Sequence, residues 1–180
     1  DKHEEALNDV CGMISHAGDI SNLILDPDLD SYYLMDTTLL ALPQMQRRLA
    51  SIQEEIARLK GLAEIPAQDR LRLEISLAML KESDLDRISG DVQTSLTEDP
   101  NFYGRCEALQ QDLPPLTRAL ETAVADFLTR AHNLDTTSAP ELAAAAVRAR
   151  QASFELWNTG ANDLDVLLEA RKAHYRSQRL

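Results

Sequence analysis

Two interleaved series of apolar residues between positions 42 and 59 constrain the fold of this chain more than any other feature. Within each series an apolar side chain recurs every seven residues. Such a repeat lines one face of a helix, and that face must pack against partner helices to leave water. The segment therefore predicts a helical bundle. The members are Leu42, Leu49 and Ile56 in one series, and Met45, Ile52 and Leu59 in the other.

The composition points in the same direction. Apolar residues make up 44% of the 180 residues, which is enough for one sizeable core and too much for a disordered chain. The chain has only 6 glycines and 7 prolines, whereas an all-β chain needs many turns and many β-branched residues. Leucine and alanine dominate instead. We therefore expect an all-α fold.

Local breaks divide the chain into five helical segments. Pro27 separates the first two, because proline cannot donate a backbone hydrogen bond and disfavours helix at the preceding residue. Pro43 lies inside the second segment and predicts a kink, and Gly61 is typical of a helix end. Ser138 and Glu141 have the spacing of a capping box at the start of the last segment. The segments cover approximately 2–25, 29–61, 67–97, 102–134 and 139–178.

The connection between the first two segments decides the topology. The apolar spacing of the first segment continues in phase across residues 26–30, which predicts one long helix kinked at Pro27. Four antiparallel passes would place both termini at the same end of an up-down bundle. A 60-residue helix spans roughly 90 Å and a 32-residue helix about half of that, so we expect a lopsided bundle or two stacked four-helix modules. The passes are 1–60, 67–98, 102–134 and 139–178, within a single domain 1–180.

The sequence carries no recognisable catalytic or metal-binding pattern. The four histidines are scattered, and none has the spacing of a metal site. The six glycines are isolated, so no phosphate-binding loop is predicted. A formal charge of −12 argues against nucleic-acid binding, because phosphate contacts draw on Lys and Arg. We expect no enzyme activity in this chain, no metal, no cofactor and no nucleic-acid partner.

The acidic run DPDLD at 26–30 is the nearest match to a metal site. Asp26, Asp28 and Asp30 occupy the first three ligand positions of an EF-hand loop. Ser31 and Thr37 stand where that loop requires glycine and glutamate, so the match fails. The run therefore indicates a proline-bent, acid-capped helix junction.

Polar and aromatic residues gather near the predicted helix irregularities, although aromatic residues make up only 4% of the chain. Pockets between bundle helices have apolar walls and a few convergent polar groups, so these residues are candidates for a ligand site. Core filling with wet polar ends is the alternative. The candidates are Tyr32, Tyr33 and Asp36 after the acidic run, and Phe154, Trp157, Asn158 and Asn162 in the last segment. The cations that could hold an anionic ligand are, without ranking, Arg47, Arg48, Arg118, Arg148 and Arg150.

Two cysteines, Cys11 and Cys106, lie on different helical segments. In a reducing compartment they would be free thiols in the core. In an oxidising compartment they could form a disulfide between the first and fourth segments. A chain of this length does not need such a link for stability, so both alternatives stay open.

Both ends of the chain resemble a known class of proteins. The stretches SNLILDPDLDSYYLMDTTLLALPQM (21–45) and LDVLLEARKAHYRSQRL (164–180) are similar to the first and last parts of periplasmic, all-helical sensor domains of bacterial transmembrane receptors. In those receptors a membrane helix precedes the first stretch and another follows the last. The parent proteins are sensor histidine kinases and methyl-accepting chemotaxis proteins. The middle of the chain (62–160) matches only in its helical pattern.

The resemblance implies a sensory function. We expect the periplasmic, extracytoplasmic domain of a sensor histidine kinase, which binds an unknown small-molecule or protein ligand and forms a homodimer through its long helices. Ligand binding would shift the last helix against the first and pass that displacement across the membrane. The sensor domain of a methyl-accepting chemoreceptor is one alternative, and a cytosolic helical scaffold or adaptor is another.

The charge distribution bears on this expectation. Residues 171–180 carry four Arg/Lys and no acid, so the other 170 residues carry 14 bases and 30 acids. Such a basic end would lie near lipid headgroups, although the positive-inside rule favours the cytoplasmic side for these residues. The chain starts without methionine in what reads as mid-helix and has no apolar run near 18 residues, so we expect a piece of a longer membrane protein.

Overall fold

The computed structural model describes residues 2–21 and 25–178, without the side chains of residues 3, 4, 7, 11 and 15. Every regular element in this part of the chain is helical, which confirms the predicted all-α fold. A π-helical turn at Asp36–Ala41 (the first π turn) joins α2 to α3, another at Leu80–Leu85 joins α4 to α5, and a 3-10 turn at Asp99–Asn101 follows α5. The α-helices are α1 (Lys2–Ile20), α2 (Leu29–Met35), α3 (Leu42–Lys60), α4 (Ala67–Met79), α5 (Asp86–Glu98), α6 (Glu107–His132) and α7 (Ala139–Ser177).

The heptad residues of α3 form the centre of the core, which confirms the interpretation of that repeat. All six are 5% exposed or less. Side chains from α4 to α7 pack around them, including Phe127, which has no exposed surface. Full burial of one such side chain stabilises the fold by about 1.5–3 kcal/mol. The most extensive helix pair is formed by α6 and α7.

The predicted kink at Pro43 takes the form of the first π turn. Proline has no N–H, and its ring collides with the carbonyl one helical turn back, so an undistorted α-helix cannot pass through it. The wider turn accommodates Pro43, and the N–H of Leu42 donates to the carbonyl of Thr37, five residues back. Thr38 would be the next acceptor in this pattern, but Pro43 cannot donate to it. The Thr38 carbonyl is therefore left for a partner outside its own helix.

Two groups of polar contacts mark the ends of the helical assembly. At one end, Nζ of Lys60 donates to the carbonyls of Leu134 and Thr137, the latter at 2.6 Å. This contact places the end of α3 beside the connection between α6 and α7. At the other end, Oγ of Ser95 donates to the carbonyl of Asp30 at 2.7 Å, so the end of α5 lies beside the start of α2.

The chain reverses direction between α1 and α2 instead of continuing as one helix. Asp28 has an extended backbone (φ −92°, ψ 117°), and its N–H donates to the Asp26 carboxylate at 3.0 Å. Pro27 between them cannot take part in helical hydrogen bonding, and residues 26–28 are not helical. α1 then lies along α3, where Nη2 of Arg47 donates to Oδ1 of Asn8 at 2.7 Å. The prediction of one helix kinked at Pro27 is therefore wrong.

The direction of α1 also separates the two ends of the chain. Near its end, a Cβ built on Gly18 would lie 3.4 Å from Cδ1 of Leu39, whereas nearer its beginning Asn8 contacts Arg47. α1 therefore runs antiparallel to α3, and its first residues point toward the end of α3. The last turns of α7 lie instead beside the start of α2, through Arg171. The prediction of both termini at the same end does not hold for the described residues.

The start of α7 has the capping box that the sequence predicts. The side chain of Ser138 accepts from the N–H of Glu141, and the Glu141 carboxylate accepts from the N–H of Ser138. None of the helices in the described ranges is both long and apolar enough to cross a bilayer.

Candidate ligand site

The first π turn divides the predicted ligand residues into two groups. Asp36 and Tyr32 lie close to Arg87 of α5, and the ring of Tyr33 packs edge-on against Tyr32 with centroids 5.3 Å apart. Trp157 of α7 binds the same turn through a different residue. The candidates therefore do not form one site.

The first group is a compact acidic cluster. Nε and Nη2 of Arg87 donate to the two carboxylate oxygens of Asp36, at 2.9 and 2.6 Å, and Nε lies 3.9 Å from Oδ2 of Asp91. Burial, together with the neighbouring Asp36, raises the pKa of Asp91 to about 7. The cluster can therefore hold a proton on Asp91 near neutral pH. Both carboxylate oxygens of Asp36 already accept hydrogen bonds from Arg87.

Trp157 is held by the carbonyl that Pro43 leaves without a helical partner. The indole Nε1–H donates to the carbonyl oxygen of Thr38 at 2.8 Å. Gly160, one turn later in α7, permits this close approach, because a Cβ there would lie only 3.0 Å from Cγ2 of Thr38. The π turn, the proline and the glycine together fix the orientation of the indole ring.

A cavity of about 350 Å³ lies between α1, α3 and α7. Trp157 forms part of its wall, and the Phe154 ring, 44% exposed, lies at its edge. The wall is almost wholly apolar, and three of the residues that line it, Gln46, Arg47 and Arg150, also carry polar groups. We call it the α1–α3–α7 cavity. It is lined by Val10, Ile14, Pro43, Gln46, Arg47, Ala50, Arg150, Phe154 and Trp157.

Two of the four candidates on the last segment thus reach the cavity. Asn158 and Asn162 are exposed and do not line it, because they lie on a neighbouring face of α7. The spacing of Arg150, Phe154 and Trp157 by four and three residues could have identified the cavity face of α7. The residues from α1 and α3 could not be found in this way, because they reach the cavity only through the reversal of α1.

The structure distinguishes among the five candidate arginines. Arg48 pairs with buried Asp84, with Nε 2.5 Å from Oδ2, and Arg148 pairs with Asp126 at 2.7 Å. Arg118 is exposed on α6. Only the remaining two of the five, Arg47 and Arg150, line the α1–α3–α7 cavity.

Two larger grooves are weaker candidates, because their polar groups already satisfy one another. The first, of about 490 Å³, is lined by Arg58, which bonds to Glu55 and Asp69. In the second, of about 560 Å³, Oγ of Ser89 donates to Glu121 at 2.7 Å. A ligand in either groove would have to displace these contacts.

A separate polar network joins the end of α7 to the acidic run. Nη2 of Arg171 donates to Oδ1 of Asp26 at 2.5 Å and to Oγ of Ser31 at 2.6 Å. Its Nε lies 2.6 Å from Oδ2 of Asp28 as an ion pair without hydrogen-bond geometry. The Tyr103 hydroxyl donates to the same Asp28 oxygen at 2.8 Å. We call these five residues the Arg171 network.

The Arg171 network changes the interpretation of the run DPDLD. The predicted proline-bent junction is present, but Asp28, the residue before α2, makes no side-chain cap hydrogen bond. Its carboxylate and that of Asp26 bind arginine instead. Across the described side chains, no group of three or more His, Cys, Asp or Glu residues could hold a metal ion.

The two cysteines are not joined by any described contact. Cys106 is half-buried just before α6, and its N–H donates to the Asp99 carboxylate at 3.0 Å. The side chain of Cys11 lies outside the described residues. The disulfide between them therefore stays a prediction.

No known protein family matches this chain, and no curated protein or solved structure is significantly similar to it. The resemblance of residues 21–45 and 164–180 to periplasmic sensor domains therefore stays a prediction.

Proposed function

We propose that this chain is the extracytoplasmic, periplasmic sensor domain of a bacterial transmembrane receptor, and that the receptor is a sensor histidine kinase. The observation that supports this most is that the first and last helices line one cavity. Val10 and Ile14 of α1 face Phe154 and Trp157 of α7 across the α1–α3–α7 cavity. A ligand held between these helices would favour one of their relative positions over another, and so shift the population of the two arrangements.

The proposed architecture is four antiparallel passes with α1 added on the outside. The passes are α2 with α3, α4 with α5, α6, and α7. The contacts of Lys60 at one end and of Ser95 at the other agree with this order. In this arrangement the Arg171 network fastens the end of α7 to the start of the first pass, next to the proposed membrane surface.

The folded-back position of α1 identifies this helix as the element that moves in the proposed mechanism. A receptor with both membrane segments on one side requires α1 to swing away from α3 and continue α2. The described apolar side chains of α1 offer little resistance to this movement, because Val10, Met13 and Ile20 are 47%, 64% and 69% exposed. We propose that α1 alternates between the folded-back position seen here and an extended position, and that the same apolar face joins two copies into a homodimer when extended.

The test uses the complete reading frame of the parent protein. Hydrophobic segments of about 20 residues directly before Asp1 and after Leu180 are required by the proposal. Cysteines introduced as G18C and L39C, in a C11S/C106S background, would lock α1 onto the first π turn on oxidation. We expect oxidation to change the phosphorylation output of the receptor in membranes severalfold, and a reductant to reverse the change.

The controls distinguish the effect of the cross-link on the output from damage that the substitutions themselves cause. The single variant G18C in the same background should respond to neither oxidant nor reductant. For a methyl-accepting chemoreceptor, the alternative within the same class, the output is the phosphorylation of the kinase coupled to it. Complete cross-linking without any change in output, or a reading frame without the two hydrophobic segments, would refute the proposal.

A cytosolic helical scaffold is the second candidate, and one observation favours it. Leu71, Ile75 and Met79 of α4 form a stripe at four-residue spacing and are 60%, 52% and 41% exposed. An apolar stripe of this spacing is typical of a surface that binds a partner helix. The absence of flanking hydrophobic segments in the reading frame would select this candidate over the sensor.

A further inference from the structure

The residues that line the α1–α3–α7 cavity carry more hydrogen-bond donors than acceptors. A guanidinium group carries five N–H donors and no acceptor. Nη2 of Arg47 donates to the neutral amide of Asn8, and no carboxylate among the described side chains pairs with Arg47 or Arg150. Nε2 of Gln46 is buried and has no acceptor among the described residues. These donors, carried by residues beside an almost wholly apolar wall, suit a ligand that supplies acceptor atoms and negative charge at one end.

The rest of the cavity is suited to an apolar group. Pro43 and Ala50 of α3, with Phe154 and Trp157 of α7, supply aliphatic and aromatic surface. The indole N–H of Trp157 is already bonded to Thr38, so the ring presents only its apolar surface. A volume of about 350 Å³ corresponds to roughly a dozen non-hydrogen atoms, if each takes about the 30 Å³ that a water molecule takes in the liquid.

We propose that the cavity binds a small organic acid with an apolar or aromatic body. The carboxylate lies at Arg150 and Arg47, and the body packs against Phe154 and Trp157. The acidic character of the whole chain does not oppose this, because the two charged residues that line the cavity are both arginines. The inference names the ligand class of the sensor proposed above, and its meaning for signalling rests on that proposal.

Trp157 makes the binding directly measurable. It is the only tryptophan in the chain, and it lies in the wall of the cavity, so a bound ligand should change its fluorescence. The 180-residue chain would be titrated with phenylacetate, benzoate and octanoate, with calorimetry as the second measurement. Phenylacetamide supplies the body without the charge, and acetate supplies the charge without the body. We expect at least one of the three acids to bind about tenfold or more tightly than both phenylacetamide and acetate.

Variants identify the charged partners. R150Q and R47Q should each weaken binding of the best acid by about tenfold, because each loses a charge-assisted hydrogen bond. The same change at Arg118, which is exposed on α6 and away from the cavity, should leave the affinity unchanged. Circular dichroism and thermal unfolding of each variant would confirm that the fold is intact.

The possible results distinguish an error in the ligand class from an error in the proposed sensor function. If none of the three acids binds more tightly than about 1 mM, or if the amide binds as well as its acid, the ligand class is wrong. Equal binding by R150Q, R47Q and R118Q would also overturn it. Acid binding at the cavity without any effect on receptor output would leave the ligand class intact and refute the sensor. An output that responds to the α1 lock but not to acids would do the opposite.

Discussion

Replacing Arg171 with glutamine should destabilise the protein far more than breaking an ion pair on the surface. Arg171 is the cation that the structure places between Asp26 and Asp28, whose side chains are only 1% and 10% exposed. Glutamine is shorter than arginine and can still donate a hydrogen bond, but it cannot neutralise two carboxylates. The variant would therefore leave buried negative charge without its partner.

The magnitude follows from burial. Removing one partner of a buried ion pair typically costs about 3–5 kcal/mol, whereas an exposed pair is worth about 0–1 kcal/mol. We expect about 3 kcal/mol for R171Q, in the lower part of the range, because the Arg171 side chain keeps 20% of its surface in water. The matched control is R148Q, because Arg148 and its partner Asp126 are 52% and 36% exposed. That variant should lose less than about 1 kcal/mol.

Urea unfolding, followed by circular dichroism near neutral pH, measures both variants. With a slope of about 2 kcal/mol per molar urea, R171Q should lower the unfolding midpoint by about 1.5 M. The loss should persist in high salt, because buried pairs are screened much less than exposed ones. Equal stability of R171Q and R148Q would refute the reasoning, since Arg171 would then not compensate buried charge.

Three further changes test other parts of the structure. D91N should be more stable than the unmodified protein at about pH 8, with the difference vanishing toward about pH 4. The reason is that a native pKa raised to about 7 makes the Asp91 contribution decline as pH rises through that value. G160A should destabilise the fold by about 1 kcal/mol in thermal or urea unfolding, because its Cβ would crowd Thr38, which is fixed by a 2.8 Å bond to the carbonyl of Leu34. G90A, with no atom within 4 Å of the new Cβ, should stabilise it by about 1 kcal/mol instead.

For the D91N prediction and for the comparison of G160A with G90A, one result would contradict the reasoning. A stability difference between D91N and the unmodified protein that does not change with pH would mean that Asp91 is not the titrating group. Equal effects of G160A and G90A would mean that Thr38 can move aside, and that the contact between α7 and the first π turn is loose.

The all-α fold class could be predicted from the sequence, because the patterns that indicate helices are local. The heptad residues from Leu42 to Leu59 and the capping box at Ser138 each depend on neighbours within one or two helical turns, and the structure confirms both. The reversal before Asp28 was not predictable in the same way. Apolar periodicity reports which face of a helix is buried, but it does not report the direction of the chain after a break.

The site was predicted only in part for the same reason. Phe154 and Trp157 lie in the cavity wall, as expected for aromatic residues near an irregular helix. Asp36 was grouped with them by proximity to the same break, but it bonds to Arg87 of α5. The other half of the cavity comes from α1 and α3, and so depends on tertiary contacts that one sequence does not specify. Arg150 was named only among five unranked cations, and its position one turn before Phe154 could have ranked it above the others.

The two π turns have a consequence for how the long helices can change in evolution and in design. A π turn is equivalent to one extra residue accommodated in an otherwise α-helical rod, and one residue corresponds to about 100° of rotation. α2 and α3 are therefore out of phase with each other by that angle, and so are α4 and α5. Deleting a single residue from Asp36–Ala41 would remove the extra residue, and it would turn every side chain of α3 by about 100° away from its present partner. The number of residues in Asp36–Ala41 is therefore constrained as strongly as the identity of the apolar core residues. This holds even though the turn itself contains no heptad position.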